Sequence, residues 1–338
     1  MRTRKIILVI FIACFIIVML LYFCYWYMIK CEGQWFGEPM ERSMDLGEIK
    51  RNLLSYVEFI QKLGPRNSAD EVSYRRLQQC RNWIIKEWES MGYEVEEDTF
   101  SVGGREYANL IVEIRGQRRP GEIVIVSAQY DTHPGSPGAN NNGSGMAVLF
   151  ELSRLFSNRS SLFGRTLRLI EFVNEQYPFF GTENMGSYRY AKRCREKNEN
   201  ILVMISLDTV GYYTDKPKSQ KLPFPFSLFY PDRGISLAFI GNLTSRSYVV
   251  KITAGFKKGS AFPINAGVAP ECVEGVTWSD HSSFWKFGYP ALQVTDTGKF
   301  RSPYHNTSED TMEKLDFDAM SRIVIGMYAA ILDLVEAK

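Results

Sequence analysis

Three short apolar runs end in polar residues that could do chemistry. "VSAQYD" closes on Gln129 and Asp131, "EFVNEQ" on Glu175 and Gln176, and "ISLDTVG" carries Asp208. A carboxylate held at such a place can serve as a general base, worth roughly 10²–10⁴-fold in rate. Grouped with imidazoles, it can also hold a divalent cation. Two histidines lie in loops nearby in sequence: His133 in "THPGSPGANNNGSG" and His305 in "YHNTSEDT". Each feature alone is ordinary. A strand-end carboxylate is usually solvated, and "NNNGSG" reads as a turn with Ser144 capping a helix. No Ser-His-Asp pattern with an elbow motif is present, which argues against a serine nucleophile.

The elements around these residues alternate. Leu46, Ile49, Leu53 and Val57 recur at helical spacing from Asp45 onward, and a second helix spans 69–91, capped by Ser68 and stopped by Gly92. "YEVEEDTF" and "YANLIVEIRG" read as strands joined at Gly103–Gly104. Strands at 123–128, 167–173, 201–207, 236–240 and "ALQVTD" then alternate with helices at 144–156, 182–195, 245–256, 279–287 and 317–336. This pattern predicts an α/β domain, a mostly parallel central sheet with helices on both faces. In such sheets ligands bind beyond the carboxyl ends of the strands, which is where Gln129, Glu175 and Asp208 fall. The Pro- and aromatic-rich run 211–234 is either a surface loop or a wall or lid of that crevice.

The ordered stretches "AQYDTHPGSPGANNNGSG", "EFVNEQYPFFGTENMGS", "SLDTVGYY", "WSDHSSFWKFGYPAL" and "YHNTSEDT" resemble the family of co-catalytic zinc aminopeptidases that also includes the glutaminyl cyclases. The resemblance covers most of residues 123–315 and implies the family's fold and its two-zinc site. It places Gln129 where the family has a zinc-binding His, with Asp131 as the Asp that orients that ligand. It places Asn141 at the bridging Asp, Glu175 at the general base, and Gln176 at the following Glu ligand. Asp208 and His305 retain the remaining two ligand positions. Three of the five ligands are therefore substituted by carboxamides that keep polar shape and lose charge or imidazole.

The consequence can be weighed. Zinc favours imidazole, thiolate and carboxylate donors, and a neutral amide oxygen offsets none of its charge. On the family's sharing of ligands, one metal would meet Asn141, Gln176 and His305, and the other Gln129, Asn141 and Asp208. Loss of a residue that merely orients a ligand costs about 10–100-fold in metal affinity or activity. Losing two direct ligands per metal predicts no tight zinc binding, and no cofactor is expected. Without a metal-activated water, Glu175 alone would support little peptide hydrolysis. The amides instead gain NH₂ donors. One or more of Gln129, Asn141 and Gln176 is expected to donate to Asp208 or accept from His305.

The N-terminus points to a location. Residues 6–29 hold 24 residues without a charge, about 36 Å as a helix, enough to cross a bilayer with some tilt. A cleaved signal peptide would have a shorter apolar core, about 7–15 residues, and a small-residue cleavage site. Tyr25, Trp26 and Tyr27 instead suit a membrane interface, and Lys30 before Cys31 disfavours lipid modification. Arg2, Arg4 and Lys5 precede the span, predicting a single-pass anchor with residues 1–5 cytoplasmic. A tether over 30–44 and an extracytoplasmic domain over 45–338 follow. Cys80, Cys194 and Cys272 form no CxxC pair or disulfide framework. The net charge of +2 on 338 residues gives no sign of a nucleic-acid partner.

The expected function is a membrane-anchored pseudopeptidase that binds a peptide or protein in a vestigial crevice. Non-catalytic relatives such as the transferrin receptor and nicastrin are a precedent by analogy. The alternative is an active zinc aminopeptidase with a rearranged or single-metal site built on Asp208, His305, Glu175 and His133. A third reading has the pocket filled by its own side chains.

Overall fold

The computed structural model describes residues 2–157 and 163–336, so the outer limits of the expected 1–5 and 45–338 segments lie outside the described residues. Among the described residues the α-helices are α1 Arg2–Met28, α2 Leu46–Leu63, α3 Glu71–Ser90, α4 Gly143–Ser157, α5 Gly186–Glu196, α6 Arg246–Gly259, α7 His281–Lys286 and α8 Phe317–Val335. The strands are β1 Glu96–Val102, β2 Arg105–Ile114, β3 Arg119–Gln129, β4 Arg165–Phe172, β5 Asn200–Leu207, β6 Leu237–Gly241, β7 Ile264–Val268 and β8 Ala291–Thr295.

The strands form one sheet in the order β1-β2-β4-β3-β5-β8-β6-β7. Its centre, β4-β3-β5-β8, is parallel. The β1-β2 hairpin joins antiparallel on one side, and the parallel pair β6-β7 meets β8 antiparallel on the other. Alternation along the central strands, shifted by a bulge between Ile201 and Val203 of β5, divides the core. Val124 and Val126 of β3, with Val203 and Ile205 of β5, pack toward α2, α3, α4, α6 and α8. Ile123, Ile125, Ile201 and Met204 face the layer of α5 and α7. The apolar runs are continuous because both sheet faces are covered.

Local chemistry explains the element boundaries. Asp45 caps α2 by accepting from the Glu48 N–H at 3.0 Å. Gly103 and Gly104 both have positive φ, the requirement of the tight turn that joins β1 to β2. Several boundaries shift by a few residues from expectation, and at three helix starts the local chemistry differs. The cap of α3 is Asp70, which accepts from Val72 and Ser73, rather than Ser68, since a carboxylate two residues on reaches the free N–H groups. Helix α5 begins at Gly186 rather than at Thr182, the intervening residues forming turns. Ser144 lies within the first turn of α4 and donates to the Asn140 carbonyl at 2.8 Å instead of capping.

Segment 30–44 does not hang free. Cys31 is buried, the Gly33 N–H donates to Thr253 Oγ1 at 2.8 Å, and Glu41 accepts from Arg322 at 3.1 Å. Lys257 pairs with Glu32 at 2.9 Å. Before this strap, α1 carries a 19-residue stretch, Ile10–Met28, of mean hydropathy 2.3 that is unburied by the rest of the chain. It is long and apolar enough to be a membrane anchor or a signal sequence.

Candidate functional site

The crevice opens where the carboxyl ends of the parallel strands diverge. Gln129 is the last residue of β3, Asp208 follows β5, and Glu175 lies three residues past the end of β4. Gln129 is fully buried, held at Oε1 by the Asn142 amide at 2.6 Å. Its Nε2 donates to Asp208 Oδ1 at 3.2 Å, the contact expected from the sequence. The other oxygen of Asp208 accepts from Gln293 Nε2 of β8 at 2.8 Å. Two carboxamides therefore occupy both oxygens of this carboxylate. Burial pushes the Asp208 carboxyl up to about 6, with the Gln129 and Gln293 hydrogen bonds pulling the other way.

Asp131 works on the backbone. Its two oxygens accept the N–H groups of Glu175 at 3.1 Å and Gln176 at 2.9 Å, fixing the strand end that presents both side chains. Burial raises its carboxyl to about 6 as well. The Gln176 amide donates to Glu175 rather than reaching Asp208 or His305. Glu175 is held well above the usual carboxylate range by burial, then by the charges of Asp208, Asp280 and Asp131. Asn141 likewise departs from expectation: its Nδ2 donates to Asn306 Oδ1 at 2.7 Å. Its backbone N–H is held by Asp310 at 3.0 Å.

His305 has a buried Nδ1 without a partner among the described residues, and Asn141 has a buried Oδ1 likewise unpartnered. Burial lowers the His305 imidazole to about 4, keeping it neutral. His133, with Nδ1 3.0 Å from the Pro134 carbonyl, shares the cavity. His281 faces away into the wall, its Nε2 2.8 Å from the Val276 carbonyl and its ring edge-on to Trp285.

The crevice is open, with a volume of about 470 Å³, and is not filled by its own side chains. Its polar floor carries Asn141, Glu175, Gln176, Asp208 and His305. Its walls are aromatic and aliphatic, including Phe239, Trp278 and Phe300. The 211–234 run supplies one wall through Leu222, Pro223, Phe226 and Tyr230.

Four participants escaped the sequence reading. Gln293 and Asn142 hold Asp208 and Gln129, and Asn306 holds Asn141. Asp280 is fully buried beside the site, with neither oxygen hydrogen-bonded in good geometry. Ser187, which eases its charge, is itself engaged with Ser283 at 3.0 Å. The signal for Asp280 was present, as the Asp before His281 in "WSDHSSFW". The three amides carry no sequence signal.

The donor set does not fit the family's zinc pair. No three His, Cys, Asp or Glu side chains among the described residues come together as a metal-holding group. The amide nitrogens at positions 129, 141 and 176 are each committed to a neighbouring oxygen. Asp208 keeps a free lone pair on each oxygen, but it and His305 are the only donors of the kind zinc favours left at the five positions, one for each metal.

A model of the family described as peptidase family M28 matches residues 109–331. Over 276 residues the chain is 29% identical to the uncharacterized protein YfbL of Escherichia coli (strain K12), covering 79% of this chain and 82% of that one. The fold is similar to that of the Legionella pneumophila LapA aminopeptidase, with TM-score 0.65, 19% identity, and 86% and 74% of the two chains covered. It is also similar to the Porphyromonas gingivalis glutaminyl cyclase, with TM-score 0.60, 18% identity, and 85% and 98% covered.

Proposed function

The chain belongs to peptidase family M28, and from that membership we propose that it is a membrane-anchored, non-catalytic member whose crevice binds the end of a peptide or protein without cleaving it. The domain itself is aminopeptidase-like. The observation that carries the reading is the Asp208 carboxylate, closed on both sides by Gln129 and Gln293. With the retained ligand position satisfied by hydrogen bonds, nothing generates the activated water that peptide hydrolysis needs.

The chemistry of the crevice supports a particular occupant. Glu175 and Asp208 line the crevice with Asp131 and Asp280 buried beside them, and their mutual repulsion adds to the cost of ionising Glu175. A cationic amino terminus would relieve that repulsion, while the aromatic walls would take an apolar side chain beside it. Peptides with a free amino terminus should bind more tightly than their acetylated forms.

The test is metal analysis of the purified chain together with hydrolysis of aminoacyl substrates. This reading expects neither bound zinc nor turnover in the natural chain. Zinc binding should return in the triple variant Gln129→His, Asn141→Asp, Gln176→Glu. Near-stoichiometric zinc with chelator-sensitive turnover in the natural chain would falsify it. That result is what the second reading expects, an active aminopeptidase with a single rearranged metal. The unpartnered Nδ1 of His305 and Oδ1 of Asn141, with His133 in the same cavity, favour that alternative.

A further inference from the structure

The wall formed by residues 222–230 has two faces. Phe226 and Tyr230 point into the crevice, and Tyr230 Oη donates to the Ala266 carbonyl at 2.9 Å. Phe224, Leu228 and Phe229 of the same short segment point outward, at 80%, 68% and 46% exposure. Three large apolar side chains left this open within six residues of chain mark an interaction surface rather than ordinary scatter.

The neighbour of this surface is the end of α1. The rings of Phe229 and Tyr25 lie 5.3 Å apart. Tyr25 opens the aromatic group Tyr25–Tyr27 that closes the 19-residue apolar stretch. The outward patch is therefore continuous with the apolar surface of the helix. The helix end is also fixed to the domain. Arg246 donates to the Tyr27 carbonyl at 2.8 Å and the Lys30 carbonyl at 3.1 Å. Its guanidinium lies 4.8 Å from the ring centre of Trp26. Tyr27 Oη donates to the Leu243 carbonyl at 3.1 Å. These contacts, with the strap on α6, leave the domain little freedom to swing away from the helix.

We propose that Phe224, Leu228 and Phe229 insert into the lipid interface of the bilayer that α1 crosses, so that one wall of the crevice is seated on the membrane surface. The occupant is phospholipid, because the patch is continuous with a helix surface of bilayer length and carries the aromatic and aliphatic side chains that partition to the headgroup–acyl boundary. The proposal rests on the anchor reading of α1.

The experiment uses the full chain in phosphatidylcholine–phosphatidylglycerol nanodiscs. A photoreactive p-benzoylphenylalanine replaces, one at a time, Phe224, Leu228, Phe15 within the span, and Glu89 on α3. Adducts are read by mass after illumination. The expected result is a mass increase of one phospholipid at positions 224, 228 and 15, and none at 89. Lipid adducts at 15 with none at 224 and 228 would overturn the proposal and leave the anchor intact. No lipid adduct at any position would overturn both. Protein adducts in place of lipid at 224 and 228 would overturn the proposal and assign the patch to a protein partner.

Discussion

The carboxylate of Asp131 accepts the backbone N–H of Gln176 at 2.9 Å, and it thereby sets the direction of a side chain that it does not touch. The same carboxylate takes the Glu175 N–H at 3.1 Å. Asp131→Asn would place an amide NH₂ against one of these donors. A lost acceptor for a buried N–H costs about 1–3 kcal/mol, and urea denaturation should record a loss in that range. Unchanged stability would mean that the strand end is fixed by something else.

Gln293 offers a sharper comparison. Gln293→Leu removes one of the two donors to Asp208 while keeping the side chain's bulk. An unsatisfied buried acceptor again costs about 1–3 kcal/mol. The double variant with Asp208→Asn should recover part of that loss, because the charge needing the donor is gone. Additive effects of the two substitutions would show that the residues are not coupled.

The site carboxylates also predict a pH dependence. Burial holds Asp131 and Asp208 at about 6 in the folded chain, whereas an unfolded aspartate ionises near 3.9. Below the unfolded value both states keep the proton and these groups contribute nothing. Between about 4 and 6 the unfolded chain ionises first, so stability falls as pH rises through that window. Asp208→Asn removes one such group, so relative to the natural chain it should fare better at about pH 7.5 than at about pH 5. An equal difference at both pH values would count against the raised carboxyl.

The strap can be tested at Gly33. A Cβ there would lie 2.2 Å from the Val250 carbonyl oxygen and 2.7 Å from the Ala254 nitrogen, so Gly33→Ala cannot keep the present contact. Forced overpacking of this kind costs about 1–3 kcal/mol. The expected outcome is faster tryptic cleavage at Lys30 and Arg42, with the core of the domain still folded. Cleavage at the natural rate would mean that the strap does not depend on this approach.

Much of this architecture follows from local pattern. The period of Ile49, Leu53 and Val57 gives α2, the continuous apolar runs give the central strands, and the Gly103–Gly104 pair gives the first hairpin. Strand β7 does not announce itself. Its five residues, "INAGV", include a glycine and a partly exposed Asn265, and its pairing to β6 is a tertiary choice. The same distinction runs through the site. The Gln129–Asp208 contact is legible because both residues end neighbouring strands. Gln293 reaches Asp208 only because β5 and β8 pair in a register that sets Ser206 against Gln293. No spacing in the chain encodes that register. Asn306 and Asn142 are brought to their partners by loops, whose side-chain directions sequence periodicity does not specify.

The clamp of Arg246 on the carbonyls of Tyr27 and Lys30 has a kinetic meaning on the anchor reading. A receptor on a floppy stalk samples a hemisphere of solution, whereas one bolted to its stem patrols a thin layer. For cargo that is itself held on the membrane, occupancy of such a crevice would follow the number of molecules per unit of area rather than per unit of volume. Diluting the surroundings would then matter less than crowding the surface.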